Sequence, residues 1–297
     1  MVRLSRLSGL FAASVTAAVW ADPSVRLTSW SLTASQTPPV VRLPNQNGSL
    51  KFAVVGNSGS GTSEQQQTAE QLSKVHQTFP FDLVLLAGNN VIGSERPQDF
   101  AQKFERPYKS ILDAGVTFRA VLGNHDDPNQ RFYKPFSMDD KRFYAFMREN
   151  VEFFALDSNF VDKTQLAWLE NALRSSQALW KVAYFHHPLY SSAGSHGSTE
   201  LGTLLEPLFE RYGVKIVFTS HDEVYERTKP QHGITYFVVG SSGLFRRGDL
   251  RKDSDLTAKG FDTDNAFLVV EIAADQLVFN AISRSGKVVD SGVISRR

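Results

Sequence analysis

The chain has 297 residues, of which 41% are hydrophobic and 11% aromatic, enough to bury one substantial core. Its 32 basic and 31 acidic residues leave a formal net charge of +1, which excludes the strong positive field that gathers nucleic acid. The sequence has no cysteine, which excludes disulfide stapling, so the core must supply the stability.

Residues 1–21 have the pattern of a secretory signal peptide. Arg3 and Arg6 precede an apolar run from Leu7 to Trp20, and the small residue Ala21 precedes a cleavage point at Asp22. The run is too short to span a bilayer, so we expect no membrane span after cleavage. The pattern predicts a secreted or periplasmic protein. An organelle transit peptide is the alternative, because Asp22 is the first acidic residue.

Residues 22–49 are rich in Ser, Thr, Pro, Gln and Asn and predict a tether, followed by one folded domain at residues 50–297. Within the domain, short apolar runs bounded by turn residues predict buried strands, which belong to sheets covered on both faces. The first six predicted strands are 50–55, 83–87, 117–122, 151–156, 181–185 and 214–219. After residue 233 the pattern predicts a β-rich section without helices, with strands at 234–239, 266–272, 277–282 and 288–294.

Three helices are predicted between these strands. Ser63, followed three residues later by a glutamine, predicts a capping box that opens a helix ending near Phe79. Asp162, with the same spacing to a glutamine, predicts the start of a second helix. The stretch from Glu200 to Tyr212 carries leucines at the spacing of a helix that packs on a core.

Polar or glycine-bearing turns follow five of the first six predicted strands. In open α/β sheets the ligand site lies beyond the carboxyl ends of the strands, so we expect these turns to meet in one cleft. Four of the seven histidines lie in them, which supports a shared site. The turns are Gly56-Asn57, Gly88-Asn89-Asn90, Gly123-Asn124-His125-Asp126, His186-His187-Pro188 and Ser220-His221-Asp222-Glu223.

A purely structural role for each of these residues is the alternative to a shared ligand site. A single asparagine at a strand end is more often a turn former than a ligand, and a single histidine is more often structural. The glycine-rich stretch from Gly56 to Thr62 has no lysine before Thr62, so it does not match a nucleotide phosphate-binding loop. The five turns taken in order are far more specific than any one of them.

Together the turns resemble the five-block signature of the calcineurin-like metallophosphoesterases, in their purple acid phosphatase branch. The blocks are Gly-Asp-x-Gly, Gly-Asp-x-x-Tyr, Gly-Asn-His-Asp/Glu, Val-x-x-His and Gly-His-x-His. The stretch from Gly123 to Asp126 matches the third block without change, and Tyr184 to Tyr190 resembles the fourth. The resemblance covers roughly residues 50 to 294 and implies a four-layer α/β/β/α sandwich of two mixed sheets flanked by helices.

In that family two metal ions share a bridging aspartate and act together on a phosphoester. The first metal takes an aspartate, the bridging aspartate, a tyrosine and a histidine; in this chain those positions hold Asn57, Asn89, Ile92 and Glu223. The loss of two carboxylates and a phenolate leaves a trivalent ion without charge compensation and excludes a ferric tyrosinate.

The second metal takes the weakened bridge at Asn89 together with Asn124, His186 and His221, of which only the bridge is altered. We therefore expect at most one divalent ion, Zn, Mn or Fe(II), and no dinuclear centre.

The resemblance also implies roles for three residues around the metals. His125 would donate to the phosphate or the leaving group, Asp126 would orient His125, and His196 would contact the substrate. The alternative is that these residues only hold the loops of an inherited fold.

Two functions remain open. One is a phosphomonoester hydrolase, similar to an acid phosphatase, with weak or single-metal activity on a phosphate ester. The other is a catalytically inactive homologue, natural or engineered, that binds a phosphate ligand or a protein. The sequence predicts no oligomeric state.

Overall fold

Two mixed β-sheets pack face to face in this computed structural model, which describes residues 42–194 and 197–296. The first sheet has six strands in the order β13-β12-β11-β1-β2-β3, with β1, β2 and β3 parallel. The second has seven in the order β10-β8-β9-β7-β6-β5-β4, with β5, β6, β7 and β9 parallel.

The strands have the following bounds. In the first sheet they are β1 (Leu50–Val55), β2 (Leu83–Leu86), β3 (Thr117–Ala120), β11 (Ala266–Ala273), β12 (Gln276–Ser283) and β13 (Val288–Ser295). In the second they are β4 (Tyr144–Arg148), β5 (Val151–Ala155), β6 (Trp180–Tyr184), β7 (Ile216–Thr219), β8 (Tyr225–Thr228), β9 (Thr235–Val239) and β10 (Thr257–Phe261).

The helices are α1 (Ser63–Thr78), α2 (Pro97–Phe100), α3 (Lys109–Asp113), α4 (Lys163–Ser175) and α5 (Thr199–Tyr212). A π-helical turn, Ala101–Glu105, continues α2, and two 3₁₀ turns lie at Pro128–Phe132 and Lys134–Phe136.

The main core lies between the sheets, and further helices cover their outer faces. The Phe52 ring of β1 contacts Phe153 of β5 and Phe218 of β7 edge-on, with ring centroids 5.4 and 5.9 Å apart. On the outer face of the second sheet, Leu169 of α4 and Phe209 of α5 are fully buried. On the first sheet, α1 buries its apolar side. The result is the predicted four-layer α/β/β/α sandwich.

Residues just before β1, in the segment predicted as a tether, are docked on the first sheet. The backbone amides of Asn45 and Gln46 each donate to the Glu271 carboxylate at 2.6 Å, and the Ser49 hydroxyl donates to it at 2.7 Å. Glu271 on β11 therefore fixes the chain as it enters β1.

The predicted elements of the buried sheets are found with shifts of one or two residues. Asp162 caps α4 as predicted, because its side chain accepts from the backbone amide of Gln165. The predicted cap at Ser63 is wrong by one residue, since Thr62 accepts from the amide of Gln65 instead. Strands β4, β8 and β10 are not among the predicted elements.

Candidate functional site

The polar turns that follow β1, β2, β3, β6 and β7 meet at one edge of the two sheets. Their side chains form a continuous chain of contacts. Asn57 Oδ1 lies 2.9 Å from Asn89 Nδ2, and Asn89 Nδ2 lies 3.4 Å from Asn124 Oδ1. Asn124 Oδ1 lies 2.8 Å from His186 Nε2, which lies 3.2 Å from His221 Nδ1. The structure thus brings the predicted residues of both metal positions into one cleft.

Tight backbone turns place these side chains. Asn57, Asn89 and His221 have positive φ angles of 49°, 57° and 60°, a conformation that asparagine tolerates better than most residues. Gly88 has φ of 92°, and a Cβ there would lie 2.5 Å from His186 Nδ1. Glycine is therefore required both for the turn after β2 and for the close approach of the buried imidazole.

At the first-metal position the two replacing amides bind protein groups. The buried Asn57 donates through Nδ2 to the backbone oxygens of Gly240 at 2.8 Å and His221 at 3.1 Å. Its Oδ1 accepts from Asn89 Nδ2, and Asn89 Oδ1 accepts from the backbone amide of His125 at 3.0 Å. Each of these amide oxygens accepts a hydrogen bond from the protein, and neither carries the negative charge of the aspartate expected at its position, so the arrangement provides little charge compensation for a metal ion.

The other two altered positions line the mouth of the cleft. Ile92 and Glu223 border a cavity of about 170 Å³ together with Asn89, Asn124 and His125. The Glu223 carboxylate lies 3.7 Å from the Arg246 guanidinium, so its charge faces a cation that the protein itself supplies. Neither residue rebuilds the lost donor set.

At the second-metal position, ring nitrogens of His186 and His221 and the side-chain oxygen of Asn124 lie close together. His186 is fully buried, and its Nδ1 lies 3.0 Å from the backbone oxygen of Ala87 and 2.9 Å from Ser220 Oγ. Because a backbone carbonyl only accepts hydrogen bonds, Nδ1 carries the proton and Nε2 has the lone pair. That lone pair faces Asn124 Oδ1 and lies next to His221 Nδ1.

The spacing and charge of this group fit a divalent ion. The separations of 2.8 and 3.2 Å between its donor atoms are those of neighbouring ligands around one ion with bonds of roughly 2.0–2.1 Å. The pKa of His186 lies well below its ordinary value, mainly because the ring is buried and, to a smaller extent, because His187 is close by. The imidazole is therefore neutral at pH 7, the form that binds metal.

A third imidazole, His187, joins this pair. Its ring centroid lies 4.9 Å from that of His186 and 4.5 Å from that of His221. Its Nδ1 lies 2.9 Å from Ser158 Oγ, which also accepts from the His187 backbone amide at 3.0 Å. His187 is not among the predicted metal ligands, and the doubled histidine after β6 is the sequence signal that could have indicated it.

Asp126 holds two of the site loops together. Its carboxylate accepts from the backbone amides of Asn90, Val91 and Gly123 at 2.8, 3.2 and 2.8 Å, and from Asn90 Nδ2 at 3.0 Å. Burial raises the pKa of Asp126 to about 6 against the lowering effect of these donors. Its predicted role of orienting His125 stays a prediction.

His125 and His196 are the two other predicted catalytic residues. His125 is exposed and lines the mouth of the cleft, in position to meet a ligand. His196 lies outside the described residues. Beside the cleft, a groove of about 570 Å³ is lined by His187 and His221 together with the exposed Phe160 and Leu204.

A separate group of possible metal donors consists of two residues of α5 and one residue of the segment between β8 and β9. Glu206, Glu210 and His232 each offer one donor atom within 4.8 Å of the others. The hydroxyls of Tyr190 and Tyr236 already donate to Glu206, so this carboxylate is held in a hydrogen-bonded group of its own.

No helix in the part of the chain that the structure describes is long and apolar enough to cross a membrane.

Two mixed sheets flanked by helices, with asparagine and histidine at the carboxyl ends of five strands, define the architecture of a metallophosphoesterase. Residues 50–225 match the profile of the family described as calcineurin-like phosphoesterase. The match covers more than half of the chain, and the chain belongs to this family.

Within the family the chain is similar to purple acid phosphatases. It is 27% identical over 276 residues to purple acid phosphatase 4 of Arabidopsis thaliana, covering 80% of this chain and 81% of that protein. Two solved structures share the fold at 20% identity. One is GAP50 of Plasmodium, described as the anchor in the inner membrane complex, with a TM-score of 0.72 over 83% of this chain and 89% of that one. The other is a purple acid phosphatase from yellow lupin (Lupinus luteus), with a TM-score of 0.65 over 85% and 55%.

Proposed function

We propose that this chain binds one divalent metal ion at most and acts on phosphate monoesters as a weak hydrolase, well below the rate of an intact dinuclear phosphatase. One observation carries the proposal. The side chains of His186, His221 and Asn124 converge at the second-metal position, with nitrogen and oxygen atoms 2.8 and 3.2 Å apart, while the amides at the first-metal position are bound to each other. Zn, Mn or Fe(II) suits nitrogen and neutral oxygen donors.

A single ion retains part of the family chemistry. When bound, it supplies Lewis-acid polarisation of a phosphoryl oxygen. His125, exposed at the mouth, is placed to donate a proton to the leaving group. Asn89 and Asn124 border the same cavity and offer polar amide groups to a phosphate. The bridging carboxylate and the second cation are missing, and with them the two-sided clamp on the attacking and leaving oxygens.

Metal content and hydrolysis of an aryl phosphate, measured on the same protein, test the proposal. We expect no more than one equivalent of Zn or Mn after soaking and gel filtration. His221→Ala, at a half-buried ligand position, should lose both the metal and the hydrolysis, whereas Ile92→Ala, at the mouth, should keep the metal. Two tightly held equivalents per chain would refute the single-site proposal.

A second candidate function, binding without hydrolysis, is favoured by the hydrogen bond between Asn57 and Asn89. It closes the first-metal position with a neutral contact, so the cleft keeps its shape without a catalytic ion there. GAP50 of Plasmodium is described as an anchor, but 20% identity relates the two chains by fold alone. Phosphate binding with no turnover, even in the metal-loaded protein, would select this candidate.

The proposal includes export of the protein. Residues 1–21 would be removed as a signal peptide, leaving residues 22–49 ahead of the domain, and the mature protein would be secreted or periplasmic. N-terminal sequencing of the mature protein should begin at Asp22. Retention of Met1 in the exported fraction, or import into an organelle, would contradict this assignment.

A further inference from the structure

We propose that His187 is the third imidazole ligand of the single metal ion, in place of the bridging carboxylate that is missing at Asn89. The inference rests on the proposed single-metal function and identifies how that site is completed. It changes the ligand set from two histidines and an asparagine to three histidines with Asn124.

Asn89 cannot fill the bridging role in this arrangement. Its Oδ1 accepts from the His125 backbone amide, and its Nδ2 donates to Asn57 Oδ1 and points toward Asn124 Oδ1. The side chain thus presents hydrogen atoms, and not a lone pair, to the centre of the cleft. The ion needs another donor from a neighbouring turn.

His187 is the histidine that lies beside both His186 and His221. One ring nitrogen from each of His186, His187 and His221 lies within 4.8 Å of the others, a separation that a small side-chain rotation brings into the range of one ion. The rings of His186 and His221 also contact each other, with centroids 5.1 Å apart. Each of the three imidazoles therefore borders the same space.

Ser158 acts as the positioning residue for this ligand. It is buried, accepts from the His187 backbone amide, and lies 2.9 Å from His187 Nδ1. In the proposed ligand state Nδ1 carries the ring proton and donates it to Ser158 Oγ, which leaves the lone pair on Nε2 for the metal. This matches the outer-shell hydrogen bond that orients most histidine ligands. Ala87 and Ser220 hold the Nδ1 side of His186 in the same way.

Three neutral imidazoles and one amide oxygen suit a four-coordinate divalent ion, above all zinc. At the first-metal position the Glu223 carboxylate already faces the Arg246 guanidinium, and neutral amides stand in place of two aspartates, so a harder or trivalent ion is not favoured there. With His187 as a ligand, the second-metal position does not need a bridging carboxylate at residue 89.

The test measures Zn²⁺ affinity by competition with a chromogenic chelator, and the visible spectrum of the Co²⁺-loaded protein, which reports the coordination of the ion. His187→Phe keeps an aromatic ring against His186 and His221 but removes both nitrogens, and His187→Ala is the second variant. We expect each to lower Zn²⁺ affinity by more than 100-fold and to change the Co²⁺ spectrum. Ser158→Ala should lower affinity by roughly 10–100-fold, the range for outer-shell partners.

His232→Ala is the matched control, because it removes one histidine from the separate donor group with Glu206 and Glu210. It should leave the affinity and the Co²⁺ spectrum unchanged. If both His187 variants fold, as shown by circular dichroism, and bind Zn²⁺ as the parent does while His221→Ala does not, the inference is wrong and the single-site function stands. A parent protein that binds no metal at all would overturn the single-site function itself.

Discussion

Asn57→Asp is the substitution that most directly tests how the first-metal position is closed. It restores the residue type that the family uses as a ligand, yet we expect it to destabilise the protein when no metal is added. Asn57 is 1% exposed, and its amide nitrogen donates to the backbone oxygens of Gly240 and His221. A carboxylate would turn an oxygen toward both carbonyls.

The magnitude follows from these two contacts. Each buried carbonyl that loses its donor costs about 1–3 kcal/mol, so the pair costs roughly 4 kcal/mol. Desolvation of the new charge raises the pKa of the introduced carboxyl. Once protonated, it can donate to one carbonyl and recover about half of the loss. The destabilisation should therefore be roughly 4 kcal/mol at pH 7.5 and about 2 kcal/mol at pH 5.

Urea unfolding of metal-free protein at both pH values is the assay, with Asn150→Asp, the same change at an exposed position, as the control. A difference of less than about 0.5 kcal/mol between the two variants at pH 7.5 would refute the reasoning, because ordinary surface substitutions reach that size. A larger loss at pH 5 than at pH 7.5 would refute the assigned direction of the hydrogen bonds.

Three further predictions follow from the same contacts. The combined variant Asn57→Asp, Asn89→Asp, Ile92→Tyr and Glu223→His should bind a second metal ion and raise aryl phosphatase activity, as elemental analysis and kinetics would show, whereas single reversions should not. Asp126→Ala should lower the free energy of unfolding by about 3 kcal/mol or more in urea titrations, because three backbone amides lose their acceptor. Stability should also fall in acid: below pH 6.5 the unfolded chain binds a proton at His186 that the native protein, with its lowered pKa, does not. The cost is about 1.4 kcal/mol per pH unit, and the difference between parent and His186→Gln isolates it.

The comparison with His186→Gln is needed because Asp126 changes the free energy of unfolding with pH in the opposite direction. Its pKa, raised to about 6 from 3.8, means that the native protein binds the extra proton between those values. Stability from this group therefore falls as pH rises through that window, and the two effects partly cancel in the parent. An acid loss of equal size in parent and His186→Gln would contradict the assignment to His186.

The buried strands could be predicted from the sequence because their signal is local. Strands such as β1 and β7 are continuous apolar runs that stop at a glycine or a polar turn. The two edge strands of the second sheet carry no such run. β10, at one end of the second sheet, has no buried residue, and β4, at the other end, has only Tyr144 buried. Their pairing depends on the neighbouring strand, which a single sequence does not contain.

Of the candidate site, likewise, only part could be predicted from the sequence. The turns that carry Asn124 and His186 follow buried strands, so their position in the cleft could be predicted from strand order. Hydrogen-bond directions could not. Nothing in the sequence indicates that Asp126 binds the turn after β2, or that the Asn57 amide faces the carbonyl of Gly240, since both depend on loops far apart in the chain.

If the chain binds a single metal ion as proposed, asparagine in place of aspartate provides a reason why the cleft keeps its shape without the second ion. Two carboxylates facing each other across the first-metal position would repel without a cation between them. Two amides can form a donor and acceptor pair instead, and Asn57 and Asn89 do so at 2.9 Å. The same exchange turns donor hydrogens toward the space that a bridging ligand would occupy. What remains for a cation is the neutral imidazole side of the cleft, at His186 and His221, where no carboxylate is required.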